Sequence, residues 1–218
     1  MRFFVLKIHP PIHEVVGATD FLLAGGSTRG QAPRCPSCGK NIGMLPLVPP
    51  IRVELETWTN DFGDLAFGPG DELLLAERFW QIYQESGLKG FVLVASVEII
   101  KLKLHRKVPN PVPRYLCCRA CRNQAAVDET KSGLERERPW NCEKCRIGGI
   151  IKRIRSVVLE ENSWSGEDVF VPRGLPGTIL TSERFKNLCQ EHQISNCLLI
   201  PAEEYSFDHY PSEEKNKA

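Results

Sequence analysis

The sequence predicts an α+β protein in which two related strand–loop–helix–strand units, an internal duplication, are joined by a structural zinc clasp. Two observations predict it. First, two segments carry the same landmarks in the same order. Each begins with a CxxC (Cys35 and Cys38; Cys142 and Cys145) and reaches a tryptophan (Trp58; Trp164). Each then reads Glu-Arg-Phe (Glu77, Arg78, Phe79; Glu183, Arg184, Phe185) and Gln-Glu (Gln84, Glu85; Gln190, Glu191). Aligned without a gap, residues 58–99 and 164–205 are identical at 10 of 42 positions, where average composition gives about two or three by chance. Second, the hydrophobic pattern repeatedly switches from strand-like alternation to one short helical stretch and back.

Residues 2–8 form a β-type run that stops at Pro10 and Pro11. Residues 12–34 carry no clear periodicity, and 25–30 (GGSTRG) read as a loop. After the first CxxC, Pro46, Pro49 and Pro50 exclude a helix. Residues 52–57 alternate, Val53 and Leu55 against Glu54 and Glu56, as in a half-buried strand. Residues 60–70 are turn-rich, and Leu73, Leu74 and Leu75 are a short apolar run. A helix is expected over residues 77–86, with Phe79, Ile82 and Tyr83 at i, i+3, i+4 on one face; Gly87 and Gly90 stop it. Residues 91–104 are the longest strand signal, and the basic, proline-bearing residues 105–113 connect the halves. The second half repeats the pattern: a strand within residues 150–160, a turn-rich loop at 162–177, Ile179 and Leu180, and a helix over 183–192 capped by Ser182. Its apolar face is Phe185, Leu188 and Cys189, and a closing strand follows at 197–200. The expected organisation is residues 1–110 and 111–211 as two halves of one compact two-lobed domain, with 212–218 a disordered tail.

The chain has 218 residues, 42% of them hydrophobic, enough for one sizeable core or two small lobes. Lys and Arg number 28 against 27 Asp and Glu, so no global field favours nucleic acid or an anionic membrane. No apolar run approaches the roughly 18–20 residues of a bilayer span. The first residues (MRFFVLKIHPP) are interrupted by Lys7 and read as a strand rather than a secretory signal. Nine cysteines without such a signal point to a reduced compartment, where thiols bind metal or lie buried.

Three CxxC pairs compete for one ion. CPSCG (Cys35, Cys38) has the turn chemistry of a knuckle, from Pro36 to Gly39. CEKC (Cys142, Cys145) is followed closely by Gly148 and Gly149. Cys118 and Cys121 lie in a strand-like run, where they face opposite sides. Linear spacing favours them nonetheless, because they form C-x2-C-x20-C-x2-C with Cys142 and Cys145, an ordinary zinc-ribbon arrangement. The duplication selects Cys35, Cys38, Cys142 and Cys145, which hold equivalent places. Four thiolates leave zinc no open position, so the site is expected to be structural. Cys117, Cys189 and Cys197 read as buried apolar-type thiols.

The sequence lacks GxSxG, a phosphate-binding GxxxxGK[ST], HExxH and any paired-histidine motif, so no enzyme is expected. Asp61, Asp64, Glu167 and Asp168 recur after the tryptophans, and in glycine-rich turns they read as turn formers. The alternative to a protein-binding scaffold is a zinc-ribbon-like nucleic-acid binder. It would use the basic residues 101–114, but these lack an aromatic platform and read as a solvated strand face.

At these residues the chain resembles the double-CXXCG family of myxobacterial immunity proteins, known from swarming-inhibition toxin–immunity pairs. CPSCG carries the signature. The second half is similar through Ser132-Gly133-Leu134-Glu135, Cys142 to Arg146, Trp164-Ser165-Gly166-Glu167-Asp168-Val169-Phe170, Arg173-Gly174-Leu175-Pro176-Gly177, Ser182-Glu183-Arg184-Phe185 and Ile200-Pro201-Ala202-Glu203-Glu204-Tyr205. The second motif departs from the pattern, with Arg146 where the family has Gly. The resemblance implies a cytoplasmic, non-catalytic protein that binds and neutralises a cognate toxin, with residues 115–128 an ordinary strand. Charge complementarity suggests that the acidic tail and the turns at 61–71 and 167–168 meet a basic toxin.

Overall fold

A computed structural model describes residues 1–209; the expected tail at 212–218 lies outside them. The strands are β1 (Phe3–Leu6), β2 (Thr19–Leu23), β3 (Thr28–Arg29), β4 (Leu47–Val48), β5 (Ile51–Thr57), β6 (Leu65–Phe67), β7 (Glu72–Ala76), β8 (Phe91–Leu104), β9 (Tyr115–Ala126), β10 (Glu135–Arg136), β11 (Ile151–Ile154), β12 (Val169–Arg173), β13 (Ile179–Ser182), β14 (Leu199–Pro201) and β15 (Phe207–Asp208). The helices are α1 (Glu77–Glu85) and α2 (Glu183–Glu191). This is the expected α+β class, with few helices and one large sheet.

That sheet has ten strands in the order β14-β1-β13-β12-β9-β7-β6-β2-β5-β8, and β8 turns back to pair with β9. Strands β9, β7, β6, β2, β5 and β8 therefore close into a barrel. The long β9 leaves it: residues 115–120 pair within the barrel, and Cys121, Arg122 and Ala126 pair in parallel with β12. Phe21, Val53, Leu55, Ala66, Leu74 and Cys117 fill one apolar cluster. Leu65, Phe79, Cys118, Val169 and Phe185 fill a second, and Val5, Ala125, Phe170 and Leu180 a third. β5 obeys its alternation, with Ile51, Val53, Leu55 and Thr57 buried.

The helices start after equivalent residues and run for nine residues each. Phe79 and Tyr83, and Phe185 and Cys189, are the buried side chains. The Ser182 hydroxyl accepts the Phe185 N–H at 3.3 Å, as expected of an N-cap, whereas Ala76, at the same place before α1, offers no side-chain cap.

The turn-rich stretches hide β6 and β12, and the unassigned residues 12–34 hide β2. β6 has three residues, too few to show a period. Phe67 and Arg173 sit among glycines and prolines that masked both strands. The strand expected within 150–160 is only β11, because Ser156 onward turns away, and Leu159 forms an isolated bridge with Val127, just past β9.

Candidate metal centre

The two CxxC turns fold alike. Gly39 N–H donates to the Cys35 carbonyl at 2.9 Å, and Arg146 N–H donates to the Cys142 carbonyl at 2.8 Å. Both residues close the turn in the left-handed region, Gly39 at φ +74° and Arg146 at φ +52°. Glycine does this freely, and a residue with a side chain does so at a cost of about 1–2 kcal/mol. Arg146 is over-determined by its contacts. Its guanidinium pairs with Glu160 at 2.6 Å, binds Glu143, and lies 5.1 Å from the Trp140 ring centroid. The substitution of Arg for Gly therefore leaves the knuckle intact. Lys40 Nζ crosses from the first turn to the second, donating to Asn141 Oδ1 (2.9 Å) and to the Ile147 carbonyl (3.2 Å).

These turns bring four thiols together. Cys35 Sγ lies 3.8 Å from Cys142 Sγ, and Cys38 Sγ lies 3.6 Å from Cys145 Sγ. All four sulfurs are within 4.8 Å of one another. A tetrahedron of sulfurs about 2.3 Å from a zinc ion has edges of about 3.8 Å, so the donor set fits such an ion in spacing and in type. Burial raises the Cys35 thiol, but the backbone N–H groups of Ser37 and Cys38 and the neighbouring thiols outweigh it and bring it down to about 6. Burial first, then the other thiols, push Cys145 up to about 12. Cys35 ionises readily and Cys145 resists a second charge beside it, a repulsion that a dication relieves.

The competing pair does not converge. Cys118 is fully buried among Leu6, Phe79 and Phe185, and Cys121 faces the third cluster with Sγ 3.4 Å from the Val169 carbonyl. Burial raises both thiols, Cys121 to about 11. Cys117 sits in the barrel cluster, pushed by burial to about 12. Cys189 is buried with Cys197 beside it, Sγ to Sγ 3.8 Å.

Four carboxylates of the acidic turns are engaged within the chain. Asp64 accepts from Arg78 Nη2 at 2.7 Å and from the Ser195 backbone and hydroxyl at 2.9 and 3.0 Å. Asp168, buried, accepts from the Ser182 hydroxyl at 2.6 Å and the Lys89 N–H at 3.0 Å, with Arg184 at 3.4 Å. Asp71 binds Arg122, and Glu167 binds Asn123 at 2.8 Å. Asp64 borders a cleft of about 680 Å³ with Val15, Phe62, Arg78 and Asn196. Sequence reasoning missed these clamps because their partners lie far along the chain. Trp58 stacks on His105 at 3.9 Å, and Trp164 meets Phe3 edge-on at 5.4 Å. On the basic strand, Lys101 and Lys103 pair with Glu54 (3.0 Å) and Glu56 (2.6 Å). No helix among the described residues is long and apolar enough to cross a membrane.

The α+β scaffold thus gathers four thiols into one cluster. A family model described as immunity protein family (Imm11) matches residues 95–204, half of the chain. The chain belongs to that immunity protein family. No curated protein matches it.

Proposed function

We propose that the chain neutralises a cognate toxin by binding it in the cytoplasm, without chemistry of its own, and that Cys35, Cys38, Cys142 and Cys145 hold a structural zinc ion. Membership of the immunity family is the observation that carries the reading. The thiol spacing supports zinc, and four thiolates would leave the ion no position for substrate. The paired landmarks, with α1 and α2 at matching places, support an internal duplication in which residues 1–110 and 111–211 are the halves of one domain. The nucleic-acid alternative rests on residues 101–114, and the pairing of Lys101 and Lys103 with Glu54 and Glu56 weakens it.

Co-expression with a candidate cognate toxin tests the main reading. Survival of the host, together with a one-to-one complex in solution, is the expected result. Loss of viability with a folded, expressed chain would overturn it. Salt-dependent binding to DNA or RNA, abolished by changing Lys101 and Lys103, would favour the alternative.

A further inference from the structure

We infer that the chain is a strand-exchanged pair of halves: the first strand of each half completes the sheet of the other, so the halves hold together without the connector between them.

The registers carry this. β1 opens the first half, yet it lies between β13 and β14 of the second. Phe3, Phe4, Val5 and Leu6 face Ser182, Thr181, Leu180 and Ile179, antiparallel. β9 opens the second half, yet it lies between β7 and β8 of the first. Tyr115, Leu116, Cys117 and Cys118 face Ala76, Leu75, Leu74 and Leu73, also antiparallel. Because α1 and α2 begin at Glu77 and Glu183, these are the same four positions in each half. The outer neighbours agree as well: Leu6 faces Leu199 and Cys118 faces Leu93, again equivalent residues.

Several further contacts between the halves are reciprocal in the same way. Asp64 of the first half takes the backbone N–H of Ser195, just after α2, and Asp168 of the second takes that of Lys89, just after α1. Each aspartate also binds the arginine of its own helix, Arg78 or Arg184. Phe79 and Phe185, equivalent to each other, meet with centroids 6.1 Å apart. Cys35 faces Cys142, and Cys38 faces Cys145. Every such pair relates one half to the other by a two-fold exchange. Neither half owns the strand that fills its central place, and a half without it would leave β7 or β13 as a bare, apolar edge.

The connector, residues 105–114, packs Val108 and Val112 against the barrel cluster but pairs with no strand of the second half. Asn110 and Pro111 are exposed. The test inserts a site-specific protease sequence between Asn110 and Pro111 of the full chain, cuts it, and measures particle size and subunit ratio by native mass spectrometry. It is run on the zinc-loaded chain and on the chain stripped by chelator. The expected result is a one-to-one complex of the two pieces, of uncut size, in both samples. Pieces that separate or precipitate would overturn the inference. Pieces that stay together only with zinc would overturn it too, because the clasp and not strand exchange would then hold them. Val5→Pro in the uncut chain gives a second reading. It removes a ladder donor from β1, so amide exchange should rise at least about tenfold at residues 179–182 and 199–201 of the other half while residues 72–76 keep their protection. Loosening confined to the first half would overturn the exchange.

Discussion

Replacing Cys145 by Ser isolates the thiol cluster from the rest of the fold. None of the four clustered cysteines belongs to the three apolar clusters, so the substitution removes a ligand without opening a core cavity. Two routes give the magnitude. A ligand present at about 1,000 times its dissociation constant stabilises the folded chain by about 4 kcal/mol. A cross-link over the 107 residues between Cys35 and Cys142 restricts the unfolded chain by about 4–5 kcal/mol on the loop-entropy scale for closures near 100 residues. For a chain of this length, 4 kcal/mol corresponds to about 8–16 °C in melting temperature. The assay is thermal denaturation of wild type and Cys145→Ser, each with zinc and with chelator. Wild type should lose that interval on chelation, and the variant should start near the chelated value and not respond. Cys118→Ser, which buries a hydroxyl in an apolar cluster, should be destabilised yet keep the full chelator response. A chelator response that survives in Cys145→Ser, or disappears in Cys118→Ser, would refute the ligand assignment.

The contact between the helices is the next target: Phe79→Ala and Phe185→Ala should each cost about 3–5 kcal/mol in urea denaturation, and the double variant should fall short of the sum because each ring packs on the other. Gly90 takes φ +124°, and a Cβ there would lie 1.9 Å from the Val169 carbonyl oxygen, so Gly90→Ala should abolish soluble folded protein, whereas Gly177→Ala, with open space around it, should cost only the backbone strain of about 1 kcal/mol. Lys103 and then His105 hold the Glu56 carboxyl below its ordinary range through hydrogen bonds. A depressed folded-state value means stability present above the unfolded value and lost as pH falls through the folded one, so wild type should exceed Glu56→Gln by at most about 1 kcal/mol at neutral pH, and the gap should close below about pH 4. A gap that widens on acidification would contradict this sign.

The helices, β5, β8 and the CxxC turns were legible because each rests on a local signal. Alternation marked Val53 and Leu55, an i, i+3, i+4 face marked Phe79 and Tyr83, and turn chemistry marked Pro36 and Gly39. β6 and β12 were not legible, since three to five residues enclosed by turns show no period. The gapless alignment was also too simple. Helix residues match at a separation of 106 positions, but Asp64 and Asp168, which make the same contacts, are 104 apart, so the loop after each tryptophan differs by two residues. Identity alone does not locate that shift. It is fixed by the Ser195 and Lys89 N–H groups, whose partnership with the aspartates depends on where the other half places its post-helix turn.

Contacts around the two CxxC turns explain why the second knuckle tolerates arginine. Gly39 closes its turn with no side chain, and the first turn is then tied down from outside by Lys40 reaching Asn141 and Ile147. Arg146 closes the second at a positive φ, and its guanidinium spans Glu143 within the turn and Glu160 beyond β11. One knuckle is therefore flexible in backbone and anchored by its partner, and the other is strained in backbone and anchored by its own half. Arg146→Gly would relieve the strain of about 1–2 kcal/mol but leave two carboxylates without their cation. Hydrogen bonds to charged groups are each worth about 1.5–3 kcal/mol, so the ion pairs outweigh the strain and the variant should be the less stable one. A variant more stable than wild type in urea denaturation would show that Arg146 is held in place by the fold rather than holding it.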